Sequence, residues 1–148
     1  MRRLVLTIGT FDILHSGHLN LIRSCRQIAG KEGTVIVGVN SDDFVLRYKK
    51  QSPVLNQGER ESLLRALRDV DRVYSHKNPQ QQYIEQALAI GSFLDVTRFL
   101  IIGSDWATKD YFAQLGVTPS FFMDNDILLC YIPYTQGISS TEVKRKVR

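Results

Sequence analysis

The stretch Gly9-Thr10-Phe11-Asp12-Ile13-Leu14-His15-Ser16-Gly17-His18 decides how the rest of the chain is read. Before it runs Leu4-Val5-Leu6 through Ile8, an apolar segment that reads as a buried strand. After it, Leu19, Ile22, Cys25 and Ile28 recur at three-residue intervals, the spacing of one helix face. Two histidines and two glycines thus fall where a strand turns into the start of a helix. The free N–H groups and the dipole of a helix start favour anions, so the position suits a phosphate. Gly9 and Gly17 would let backbone approach a ligand with no Cβ in between. The blander alternative makes His15 and His18 ordinary polar residues that cap the helix.

Working outward, Thr34 to Val39 (Thr-Val-Ile-Val-Gly-Val) is a continuous run, the mark of a strand buried on both faces of a parallel sheet. Strand, helix and strand within forty residues form a βαβ unit, whose crossover should be right-handed. Arg72-Val73-Tyr74, Phe99-Leu100-Ile101-Ile102 and the run from Ile127 to Ile132 supply further strands. The expectation is an α/β fold: a single-domain, Rossmann-like, doubly wound parallel sheet of about five strands. Asn56 with Glu59 reads as a capping box before a helix carrying Leu63, Leu64, Leu67 and Val70. Asn78-Pro79 with Gln81 signals another helix, ending at Gly91, and Tyr111 to Leu115 a short one. From Arg47 to Gln57 no periodicity survives and Pro53 intervenes, so a loop is expected there, opened by Arg47, Lys49 and Lys50. Val117 to Met123, with Pro119 inside it, gives no clear reading.

Composition narrows the class. At 148 residues one domain suffices, and 43% apolar residues can fill a core. No apolar run exceeds six residues, against the ~20 that span a bilayer, so no membrane insertion is expected. The charged start Met1-Arg2-Arg3 lacks an apolar export segment, and Cys25 and Cys130 read as small hydrophobes, which together imply a cytoplasmic protein. A net charge of +4 suggests an anionic partner. Lysines and arginines are scattered, with Lys144-Arg145-Lys146 the one dense run, which argues against nucleic acid and fits a nucleotide triphosphate.

Three further places carry candidate chemistry. Gly103-Ser104-Asp105-Trp106 follows a buried strand, where open α/β sheets hold their ligands, and Trp106 either stacks on a base or closes the sheet edge. Gly137-Ile138-Ser139-Ser140-Thr141 opens a second helix, with Ser139 and Glu142 as a capping box. Arg60 sits in the first turn of its helix, where a cation opposes the dipole; an arginine placed so has an anion to meet. Asp124-Asn125-Asp126 reads as a turn, and no metal-ligand set is found.

The pattern G-x-F-D-x-x-H-x-G-H resembles the signature of the cytidylyltransferase-type nucleotidyltransferases, the H-x-G-H superfamily, and is nearest to those acting on glycerol 3-phosphate. Those enzymes carry a similar G-D-D-W at Gly103 to Trp106, and an R-T-E-G-I-S-T-T ending that Tyr134-Thr135-Gln136-Gly137-Ile138-Ser139-Ser140-Thr141 matches in part. Tyr134 and Gln136 stand where that ending has Arg and Glu. Ile138-Ser139-Ser140-Thr141 with Lys144 also resembles the I-S-S-T-x-x-R motif of related adenylyltransferases, as do Ser52 to Arg60.

The resemblance implies transfer of CMP from CTP to a polyol phosphate, with adenylyl transfer to a sugar phosphate such as heptose 1-phosphate as the alternative. A nucleotide-binding protein without catalysis is the reading from another class. It implies catalytic or phosphate-holding roles for His15, His18, Lys50 (or Lys49) and Arg60. Nucleotide contacts are implied for Gly9, Thr10, Phe11, Asp12, Gly17, Gly103, Asp105, Trp106, Thr135, Gly137, Ile138, Ser139 and Ser140. Mg²⁺ arriving with the NTP and a homodimer complete the expectation.

Overall fold

The computed structural model describes residues 2–76, 80–90 and 96–147. Five strands, β1 (Arg2–Gly9), β2 (Thr34–Asn40), β3 (Arg72–His76), β4 (Val96–Gly103) and β5 (Ile127–Ile132), form one all-parallel sheet in the order β3-β2-β1-β4-β5. The central strand β1 sets Leu6 opposite Ile36 on one side and Leu100 on the other. Its continuous apolar run is explained by helices on both faces, so successive side chains are buried whichever way they point.

One face packs Val5, Val35, Val37, Val73 and Ile101 against α1 (Ser16–Ala29) and α3 (Gln57–Arg65), through Ile22, Cys25 and Leu64. The other face packs Leu6, Ile36, Leu100 and Ile127 against α4 (Gln80–Ile90), α5 (Tyr111–Leu115) and α6 (Pro119–Asp124), through Tyr83, Ile84, Leu115 and Phe122. From β1 the chain moves outward through β2 and β3, then crosses back to β4 and β5. This reversal opens a crevice at the carboxyl ends of β1 and β4, the place where such sheets take ligands.

Two sequence expectations are corrected. The segment expected to be loop from Arg47 begins inside a helix, α2 (Asp42–Lys49). Ser41 caps it by accepting from the Phe44 N–H at 3.1 Å, with Asp42 and Asp43 in the first turn and Arg47 and Lys49 in the last. Charge complementary to the dipole stabilises this short helix. Only its Val45 is buried, which is why no periodicity marked it. The unread stretch from Val117 holds α6, where Thr118 caps and Pro119 occupies the first turn, so the proline starts a helix and does not break one. The expected Asn78-Pro79 cap and the Gly91 helix end lie outside the described residues. Cys25 is buried, Cys130 half-buried, and both are free. No helix among the described residues is long and apolar enough to cross a membrane.

Candidate active site

A cavity of about 320 Å³ opens at the carboxyl edge of the sheet, floored by Ile8, Ile102 and Ile132 from the ends of β1, β4 and β5. On one side stands the start of α1. His15 is its N-cap and accepts the Gly17 N–H at Nδ1, 3.1 Å away. His18 Nδ1 accepts the His15 N–H at 3.3 Å, and the two rings stack with centroids 3.8 Å apart. Because both Nδ1 atoms accept, each neutral ring carries its proton on Nε2. Burial, reinforced by the charges of His15 and Lys49 against that of Asp12, pushes the His18 pKa down to about 3. Burial lowers that of His15 as well. Capping, one of the two alternatives in the sequence, therefore uses Nδ1 of both rings and does not engage Nε2. Gly17 is required by this packing: a Cβ there would lie 2.9 Å from His15 Cε1 and 3.3 Å from Ile138 Cγ2.

The turn between β1 and α1 is strained, since Phe11 and Ile13 hold φ of 53° and 52° without being glycine. Its neighbours fix it. The Asp12 carboxylate accepts from the Val54 and Leu55 N–H groups at 2.8 and 3.0 Å and pairs with Lys144 Nζ at 3.1 Å. Burial alone would raise the Asp12 pKa, but the Leu55 and Val54 N–H bonds and Lys144 outweigh it and hold the carboxyl ionised. The Asp12 carbonyl accepts from Ser140 Oγ, which ties the turn to α7 (Ser140–Lys146).

Arg60 completes that clasp, and here the sequence reading is corrected. Its side chain is 0% exposed. Nε donates to the Leu55 carbonyl at 3.0 Å, Nη1 to those of Thr10 and Asn40 at 2.7 and 2.9 Å, and Nη2 to Asp42 Oδ1 at 2.6 Å. The anion that offsets its unfavourable place at a helix start is Asp42, and the guanidinium does not line the cavity.

Of the other expected residues, Gly9, Thr10, Phe11, Asp12, His15, Gly17, His18, Lys49, Gly103, Asp105, Trp106, Thr135, Ile138, Ser139 and Ser140 line the cavity together. Lys50 does not: it is exposed in the left-handed conformation that ends α2, which leaves Lys49 as the lysine of that pair on the cavity. Partial burial and Lys144 lower the Lys49 pKa, against the pull of Asp12. Gly137 also lies off the cavity, turning the chain at φ 75° before α7. Ser139 caps α7 by accepting the Glu142 N–H at 3.1 Å, while the Glu142 carboxylate pairs with Arg145 and not with the cap. The 133–139 loop is held by Asn20 Nδ2 donating to Thr135 Oγ1 at 3.2 Å and by the Tyr134 N–H donating to Ser104 Oγ at 3.0 Å.

Sequence reasoning missed Asn40, Tyr48, Tyr111 and Gln114. Asn40, a polar residue ending an apolar strand, carried a signal that could have found it. Tyr111 and Gln114 belong to a five-residue helix with no pattern of their own. Among the described residues no group of three or more His, Cys, Asp or Glu is placed to hold a metal.

Two helix starts, the His15 and His18 rings and the Lys49 side chain line one crevice at the reversal point of a parallel sheet. Fold and site together define an α/β protein with a polar crevice at the carboxyl edge of a parallel sheet. Residues 6–146 match the family described as Cytidylyltransferase-like, and the chain belongs to that nucleotidyltransferase family. It is 29% identical to glycerol-3-phosphate cytidylyltransferase of Bacillus subtilis over 97% of this chain and 95% of that one. It is 41% identical to FAD synthase of Korarchaeum cryptofilum over 49% of this chain, spanning half of that relative, and 32% identical to bifunctional protein HldE of Nitrosococcus oceani over 95% of this chain and 27% of that one. Among solved structures, a lipopolysaccharide core biosynthesis protein of Thermoplasma volcanium shares the fold, with a TM-score of 0.66 at 20% identity, over 91% of this chain and 98% of that one.

Proposed function

We propose that this enzyme transfers CMP from CTP to a polyol phosphate, sn-glycerol 3-phosphate before others, releasing pyrophosphate. The observation that carries the reading is the pair of neutral, Nε2-protonated imidazoles set between two helix starts. The attacking oxygen belongs to a phosphate monoester and is already ionised, so the reaction needs no base. Positioning and charge stabilisation suffice. His15 and His18 would donate to the α-phosphate as charge builds on its oxygens, with Lys49 and the α7 start on the rest of the triphosphate. The nucleotide would arrive as its magnesium complex, the ion held mainly by phosphate and water. The likeness to the Bacillus subtilis enzyme over nearly the whole length of both chains supports the choice of substrates. The further expectation of a homodimer belongs with this reading.

A second reading, adenylyl transfer to a sugar phosphate, is favoured by one feature: Ile138-Ser139-Ser140-Thr141 followed by Lys144, whose ammonium reaches the site at Asp12. Pyrophosphate release in a matrix of the four NTPs against sn-glycerol 3-phosphate and heptose 1-phosphate decides. The first reading requires the CTP and glycerol phosphate well to lead. Replacing His18 with Ala should then cost at least 100-fold in kcat, the usual weight of one preorganised donor. A loss below tenfold would remove His18 from the chemistry.

A further inference from the structure

The cavity changes character along the sheet edge. Toward β1 and β2 it carries the His15 and His18 rings and Lys49, and toward β4 and β5 it carries Gly103, Asp105 and Tyr134. A Cβ on Gly103 would meet Asp105 Oδ1 at 2.6 Å and Tyr134 Cδ2 at 3.6 Å. Carboxylate and ring therefore come together over bare backbone at the carboxyl end of β4. The Asp105 carboxylate repels phosphate there, and accepts hydrogen bonds from hydroxyl or amino groups. Phosphates belong toward β1, and the uncharged part of a nucleotide toward β4 and β5.

Most aromatic rings that line the cavity already have partners. Phe11 lies 5.4 Å from the His18 ring and Tyr48 5.8 Å from that of Phe44. Trp106 packs 5.2 Å from the Tyr111 ring and has the Lys109 ammonium 5.0 Å from its centroid. Tyr134 has neither a ring nor a cation against it among the described residues, and it is 41% exposed. Its backbone is nonetheless fixed. The Tyr134 N–H donates to Ser104 Oγ at 3.0 Å, and the next residue accepts at Thr135 Oγ1 from Asn20 Nδ2 at 3.2 Å. A large ring held in place and left in water has its apolar faces unused. A flat heterocycle is the ligand group that covers such a face. The resembled ending has Arg at this position, so this chain sets a ring where that ending sets a charge.

We infer that Tyr134 is the platform on which the nucleobase of the bound nucleotide stacks. The inference rests on the proposed reaction for the nucleotide itself, and gives its base a residue outside the phosphate-holding set. A ring face offers no pattern of donors and acceptors. It holds cytosine and adenine alike and leaves the choice between them to other groups.

The test compares Tyr134→Ala and Tyr134→Phe with the parent in the full chain. Each is titrated with the Mg²⁺ complexes of CTP, ATP and inorganic tripolyphosphate, without acceptor. Both variants should melt as the parent does, because the bond to Ser104 is made by the backbone. Tyr134→Ala should weaken CTP and ATP by about 5-fold or more, the usual worth of one base–aromatic stack, and leave tripolyphosphate unchanged. Tyr134→Phe keeps the ring and should bind all three as the parent does. Unchanged CTP affinity in the Ala variant overturns the inference. An equal loss for tripolyphosphate places Tyr134 at the phosphates, and a loss in Phe equal to that in Ala makes the hydroxyl the contact; either overturns it. A parent that binds tripolyphosphate as tightly as CTP has no base contact, and the inference falls while the phosphate site stands. Ring-dependent CTP binding, with no pyrophosphate released for any acceptor, overturns the proposed reaction and upholds the stack. Failure of the parent to bind any of the three sinks both.

Discussion

His18 does two things with one ring: its Nδ1 accepts the His15 N–H at the helix start, and its Nε2 carries the proton that the cavity wall can offer. The arrangement works while the ring is neutral, because a second proton on Nδ1 would remove the acceptor. Its pKa of about 3 in the folded chain lies below the 6.5 of an unperturbed histidine. Between those values the unfolded chain binds the extra proton, so stability is full above about pH 6.5 and is lost as pH falls toward 3. Urea midpoints measured across that window should fall with pH in the parent and fall less steeply in His18→Gln; parallel slopes would contradict the burial. The Asp12 carboxyl, also lowered, adds a loss in the same direction at still lower pH. Arg60 gives a sharper expectation. Replacing it with Ala removes one guanidinium that donates to the Thr10, Asn40 and Leu55 carbonyls and pairs with Asp42, which should cost about 3–5 kcal/mol of stability. Lysine should recover little, since one ammonium cannot serve four acceptors on three segments. Chemical denaturation of both variants checks this. The sequence told that Arg60 must meet an anion and could not tell which, because Asp42 lies eighteen residues away and only the fold brings it near.

At the scale of elements, the site depends on how helices begin. α1 and α7 both start with a side chain that accepts an N–H, which leaves the remaining N–H groups of the first turn for a ligand. Ser139→Ala should cost about 1 kcal/mol by loss of the cap. Its effect on nucleotide affinity should exceed that on melting, because Ser140 and Lys144, which brace Asp12, ride on the same helix. Amide exchange should quicken in α7 while the sheet stays protected. Capping signals were the most legible part of the sequence: Asn56 with Glu59 forms the reciprocal pair its spacing foretold. α2 escaped because it buries Val45 alone, so its cue was the charge order Asp42, Asp43, then Arg47, Lys49, and not hydrophobic period. The sequence offered Lys49 and Lys50 together, and the end of this helix is what sets Lys49 on the cavity and Lys50 off it.

For the whole molecule, continuous β-branched runs announced a parallel sheet, and the sheet is parallel throughout. The strand order was not written in any segment; it follows from which runs can be covered on both faces and which stay at an edge. β5 keeps Leu128 and Tyr131 exposed, as an edge strand does, whereas Leu100 on β4 is fully buried. Leu100→Ala should therefore cost 2–5 kcal/mol, and Leu128→Ala about 0.5 kcal/mol or less, measured by denaturant unfolding. The Tyr111 position was illegible for a related reason: it comes to line the same cavity as His15 only when sheet and helices close around one crevice.

The bond from Ser140 to Asp12 joins residues 128 apart in sequence. A chain emerging from the ribosome can assemble all five strands and bury most of the core before residue 140 exists. At that stage it holds a finished sheet with half a cradle. A ligand held by this cradle therefore acts only on chains that have reached residue 140, drawing them toward the native state by its free energy of binding.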